Sequence, residues 1–140
     1  MSRLAPAVAA ILIALALPAC GESQEESAQQ TVCDARQDIS NEIDTLKGIT
    51  PATFSADTVS ESVSAIRSAL SQIKGARGDL SDARRQEIES ANQAFESQVR
   101  DVAQQIGTGA AGTDAASTIR AAAQQLASSY EQTFARIDCS

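Results

Sequence analysis

Three cysteines, Cys20, Cys33 and Cys139, carry most of the reactive potential of this chain. A thiol can serve as nucleophile, metal ligand, acylation site or half of a disulfide, and its surroundings decide which. The 140 residues include no His and no Trp. That excludes His-dependent triads, an imidazole general base and His-containing zinc sites. Carboxylates recur at four-residue steps in Asp34, Asp38 and Glu42, and Glu87 and Glu89 flank Ile88. A carboxylate dyad needs two groups held close in a partly dry cleft, so that their pKa values split. These positions fall mostly on the polar sides of their helices, so a solvated face is expected, with a weak cation site as the alternative. Arg84-Arg85, beside Asp82 and Glu87, reads as a charged helix surface. The glycines of "GTGAAGTD" precede a helical pattern, but no Lys follows them and no strand leads in, so no phosphate cradle is expected. The sequence therefore predicts no catalytic residue, no metal site and no cofactor.

Cys20 ends an apolar run. Arg3 supplies one positive charge, Leu4 to Leu17 are mostly apolar, and Leu17-Pro18-Ala19-Cys20 is a small-residue cleavage site. The run is interrupted by Pro6 and is short for a spanning helix, which needs about 20 apolar residues. Residues 1–19 are thus predicted to be a signal peptide. Cleavage before Cys20 leaves 121 residues, enough for one modest core, with a net charge near −8. That sign repels phosphate backbones and anionic lipid heads, so nucleic acid is not expected as a partner. The ten residues after Cys20, "GESQEESAQQ", contain three Glu and no large apolar side chain. Residues 20–30 are expected to behave as a flexible acidic tether.

From residue 31 the periodicity is helical. Val32, Ala35, Ile39, Ile43 and Leu46 recur at three- and four-residue steps, opened by Thr31 and Asp34 as a weak capping box and closed by Gly48. After the "ITPATFS" connector, Ser55 is placed to cap a second helix and Phe54 to staple against Val59. Its stripe is Val59, Val63, Ile66, Leu70 and Ile73, and Gly75 and Gly78 break it. Ser81 caps a third helix with Ile88, Ala91, Phe95, Val99, Val102 and Ile106 on one face. Thr113 can cap a fourth, running through Ile119, Ala122, Leu126, Tyr130, Thr133 and Ile137.

Four amphipathic helices with short connectors predict an all-α, antiparallel four-helix up-and-down bundle over residues 31–140. Cys33 starts the first helix and Cys139 follows the last, and exported chains can form disulfides. In an up-and-down bundle only an even number of helices brings the chain ends together, so a Cys33–Cys139 bridge and four helices support each other. Neither cysteine falls on an apolar stripe, which places Cys139 in a turn beyond the helix; free or intermolecular thiols are the alternative. The same parity puts Cys20, Cys33, Cys139 and the "KGARGDLS" connector at one end.

Leu17-Pro18-Ala19-Cys20 resembles the lipobox of bacterial lipoproteins, which reads Leu, a small residue, Ala or Gly, then Cys; Pro18 departs from that pattern. The resemblance implies that Cys20 becomes the first residue and carries acyl chains on its thiol and amino group. It also implies attachment to the extracytoplasmic side of the cell membrane, or to the outer membrane in a diderm cell. Two or three chains anchor stably, each buried methylene contributing about 0.8 kcal/mol. An ordinary secretory signal with an incidental cysteine is the alternative. Val32 to Cys139, opening "VCDARQDI" and closing "ARIDCS" around Ala-rich helices, is similar to small exported helical proteins of actinobacteria, a group with no assigned activity.

The function expected from these features is a non-enzymatic envelope module that binds another envelope protein or the cell wall, or has a structural role. The alternative is a carrier of a lipid or other apolar molecule between the helices. A carrier requires a continuous apolar cavity of several hundred Å3.

Overall fold

A computed structural model describes residues 20–109 and 114–140, with the side chains of 20–23 and 109 outside that description. The expected signal peptide, residues 1–19, and the capping candidate Thr113 also lie outside the described residues. The chain forms four α-helices: α1 (Cys20–Lys47), α2 (Ala56–Ala76), α3 (Asp82–Gly109) and α4 (Ala115–Gln132). Short 3-10 turns follow α2 at Arg77–Asp79 and α4 at Phe134–Arg136. No strand occurs among the described residues. The protein is therefore all-α, with four helices lying where the apolar spacing predicts them.

Helix α1 corrects the expectation of a flexible tether at residues 20–30. It starts at Cys20 and runs for 28 residues. Ala28 is buried and extends the stripe of Val32, Ala35, Ile39, Ile43 and Leu46 by one further turn. The Ser81 backbone N–H donates to the Glu25 carboxylate at 3.1 Å, tying this stretch to the α2–α3 connector. Low hydrophobicity argues for disorder only in an isolated segment. A helix already nucleated on a buried stripe propagates at little cost, and its N-terminal Glu residues complement the macrodipole. Thr31 accordingly caps nothing: its hydroxyl donates back to the Ser27 carbonyl at 3.0 Å, inside the helix.

The later boundaries follow local chemistry more closely. Gly48 follows the last residue of α1 without adopting positive φ, and its N–H donates to the Asp44 carbonyl at 3.0 Å. A Thr50–Thr53 turn then carries the chain past Pro51, the Thr53 N–H donating to the Thr50 carbonyl at 3.1 Å. The Ser55 hydroxyl accepts from the Thr58 N–H, as an N-cap should. Gly75 does not break α2, which continues to Ala76 before tightening into the 3-10 turn. Ser81 precedes α3 and its carbonyl accepts from the Arg85 N–H at 2.8 Å. Asp114 precedes α4 and its carbonyl accepts from the Thr118 N–H at 2.9 Å.

Helix α4 ends earlier than its periodicity predicts. It stops at Gln132, and Thr133 leaves helical geometry with φ −116° and ψ −86°. The change of direction turns Phe134 inward, although 100° steps from the α4 stripe select Thr133 and omit Phe134. Phe134 is fully buried, edge-to-face with Phe95 at a ring separation of 5.5 Å. Tyr130 completes the cluster at 6.3 Å from Phe95. These three rings join a core that also buries several alanines, including Ala35, Ala122 and Ala123.

The ends of the domain are fastened covalently. Cys33 and Cys139 form a disulfide with their Cα atoms 5.7 Å apart across 106 residues of sequence. Cys139 lies beyond the last turn, as its off-stripe position predicts. Arg36, one helical turn along from Cys33, clasps the same tail: its guanidinium donates to the Ile137 carbonyl at 2.6 Å and to that of Phe134 at 3.4 Å. The Tyr130 hydroxyl donates to the Arg36 carbonyl at 3.3 Å, and burial pushes that phenol's pKa up.

Candidate functional site

Helix α1 packs against α2 and α4, and α3 packs extensively on α4, but the contact between α2 and α3 is thinner. The apolar stripes explain the difference. Val63 and Ile106 belong to the stripes of α2 and α3 yet are only partly covered. Three clefts follow the resulting seam, one after another.

The first, of about 280 Å3, is bounded by Phe54, Val59 and Val63 on one side and Ala103 and Ile106 on the other. The second, of about 320 Å3, has Leu70 and Val99 at its floor and Arg67, Lys74, Glu96 and Arg100 around it. The third, of about 310 Å3, lies between Ile73 and Ile88 and includes Arg77, Glu89 and Asn92. Arg67 is shared by the first two, and the Lys74–Glu96 pair by the last two. Larger openings of about 540 and 560 Å3 lie elsewhere, on surfaces rich in Gln and Ser.

Two ion pairs cross the seam. Lys74 reaches Glu96 at 2.7 Å and Arg77 reaches Glu89 at 3.1 Å. The hydrogen bond from Lys74 holds the Glu96 carboxyl below its ordinary pKa, against some desolvation. Beneath the rim, Asn92 is 3% exposed and its carboxamide oxygen has no hydrogen-bond partner. A buried unpaired acceptor is costly.

The residues predicted to carry chemistry are distributed elsewhere. Cys20 is the first residue of α1, and its side chain lies outside the described residues. Cys33 and Cys139 are bonded to each other and offer no thiolate. Asp34 and Asp38 are exposed, Asp34 accepting from Gln30 at 2.9 Å. Among the described residues no three potential metal-ligating side chains converge. Arg84 and Arg85 do more than decorate a helix surface. Arg85 donates to the Arg77 and Leu80 carbonyls, both at 3.2 Å, and Arg84 donates to the Asp138 carbonyl at 3.1 Å, so together they fasten the α2–α3 connector and the tail. The Asp138 carboxyl is held below its ordinary pKa by hydrogen bonds from Ser140.

Sequence periodicity locates the stripes but not the seam, because whether a stripe is fully covered depends on its neighbour. The pattern Arg67, Lys74, Arg77, at a spacing of a turn or two beside α2's apolar stripe, is the one feature that could have pointed there. No helix among the described residues is long and apolar enough to cross a membrane. No protein family, no curated protein and no solved structure matches the chain.

Proposed function

We propose that the chain is an exported lipoprotein, acylated at Cys20, whose helical domain is a non-enzymatic binding module presenting the α2–α3 seam. The observation that carries this reading is the seam itself: an under-covered apolar floor rimmed by cationic side chains, beside a core otherwise filled by packed side chains. Apolar walls and fixed charges bind; they do not by themselves transform a substrate. The disulfide supports an oxidising, extracytoplasmic compartment. The lipobox resemblance at Leu17 to Cys20 supports the anchor. The bundle is antiparallel and up-and-down in this proposal. Supporting that arrangement, Glu25 meets Ser81, Arg84 meets Asp138 and Cys33 meets Cys139, all near one end.

Helical continuity from Cys20 changes the mode of display. With α1 helical from the acylated residue, the domain stands on a stiff helix rather than a loose tether, with the α2–α3 connector toward the membrane. The seam then runs up the side of the domain, and its partner is an envelope component. A lipid carrier with an enclosed chamber is the less favoured reading, because the clefts are open surface features. Intact mass spectrometry of the membrane fraction tests the proposal. A mass equal to Cys20–Ser140 plus acyl groups is expected, with two alkylatable thiols appearing only after reduction. An unacylated secreted chain, or thiols free from the start, overturns it.

A further inference from the structure

The seam is graded in polarity along its length. Toward the α1–α2 connector its walls are aromatic and aliphatic, from Phe54, Val63 and Ile106. In its middle Arg67, Lys74 and Arg100 surround a single carboxylate, Glu96, which Lys74 already holds at 2.7 Å. Among the described residues neither Arg67 nor Arg100 has a carboxylate oxygen within 4.0 Å. Such a local surplus of cations opposes the net charge of −7 carried by the whole chain. The aliphatic and the cationic clefts, of about 280 and 320 Å3, meet at Arg67 and are both open at the surface.

We infer that these two clefts bind a medium-chain fatty carboxylate. Its head lies between Arg67 and Arg100, and its hydrocarbon chain runs over Val63 and Ile106 toward Phe54. Two guanidinium forks match a carboxylate in geometry and charge. The Lys74–Glu96 bridge crosses the seam just past the head position. From Arg67 back to Ala56 the seam offers about 16 Å of helix length for the chain. Burial of that chain supplies the apolar part of the affinity. This inference rests on the seam being the binding face and is independent of acylation at Cys20.

The test uses the full chain in membranes of cells that express it, irradiated with a diazirine-bearing laurate. Parallel arms use the alcohol of the same chain length and a diazirine-bearing lysophosphatidate, and labelled peptides are mapped by mass spectrometry. Laurate is expected to label α2 and α3 along the first two clefts. The double variant R67E/R100E is expected to lower that labelling roughly tenfold while leaving labelling by the alcohol unchanged. Both arginines are exposed, and a circular dichroism spectrum checks that the variant stays helical. Equal labelling by acid and alcohol, laurate label confined to the α3–α4 surface, or no effect of charge reversal overturns the inference. Stronger labelling of the seam by lysophosphatidate overturns the choice of head. A photo-crosslinker at Ser71 separates the two levels of the proposal. A protein captured there and lost from R67E/R100E, with no laurate label, keeps the binding face and removes the fatty acid; no such capture and no label removes both.

Discussion

Breaking the Cys33–Cys139 bridge should cost this domain a large part of its stability. The bridge closes a loop of 106 residues. In the chain-entropy model, cross-linking a loop of that length removes about 16 cal/mol/K from the unfolded ensemble, or about 4.8 kcal/mol at 25 °C. The realised value is smaller for a reason that lies in the unfolded chain. Arg36 holds the tail through the Ile137 and Phe134 carbonyls, and Arg84 holds Asp138, so the reduced native state keeps its tail docked and the loss falls on the unfolded ensemble. Compact unfolded chains gain less entropy than the ideal model allows. A loss of about 2–4 kcal/mol is therefore expected for the double variant C33S/C139S, measured by urea denaturation against the oxidised protein. For a domain of this size that corresponds to a fall in Tm of roughly 8–20 °C. The m-value should rise, because the unfolded chain without its cross-link exposes more surface. A loss under about 1 kcal/mol, with m unchanged, would refute the reasoning and mean that the cross-link scarcely restricts the unfolded chain.

Three further outcomes follow from side chains at the clasp and the seam. Arg36→Ala should destabilise the domain by about 1.5–3 kcal/mol in the same denaturation assay, since it removes charge-assisted bonds to two carbonyls; Arg36→Lys should recover only part. Asn92→Leu should be neutral or stabilise by up to about 1 kcal/mol, because it replaces an unpaired buried oxygen with an apolar group of similar volume; a loss beyond about 1 kcal/mol would mean that the oxygen is paired in solution. Glu96 has a folded pKa below its unfolded value, so its pairing with Lys74 stabilises above the unfolded pKa and is lost as pH falls through the folded one. Half-exposed pairs are weak, so the wild-type protein should lose only a few tenths to 1 kcal/mol more than Glu96→Gln between neutral and acid pH, read from paired urea midpoints.

The amino-acid sequence by itself determined the all-α class, the four helices and their buried stripes, because period 3.6 is a property of one element and needs no partner. It also determined that Cys139 lies off-helix and that a bridge to Cys33 fits an even number of helices. Ser55 was legible as a cap because its effect reaches only three residues. Only the tertiary structure decided that residues 24–30 are helical, since Ala28 is buried there and Glu25 acquires its partner from the distant α2–α3 connector. Phe134 enters the core because packing ends α4 at Gln132 and redirects the chain, which no periodicity can foresee. Arg36, Arg84 and Arg85 look like ordinary surface cations in one dimension; they become fasteners because carbonyls from other segments arrive beside them. The α2–α3 seam belongs wholly to the tertiary level. A stripe records which residues are apolar, whereas coverage depends on how closely the next helix approaches, and that distance is set by every side chain packed between them.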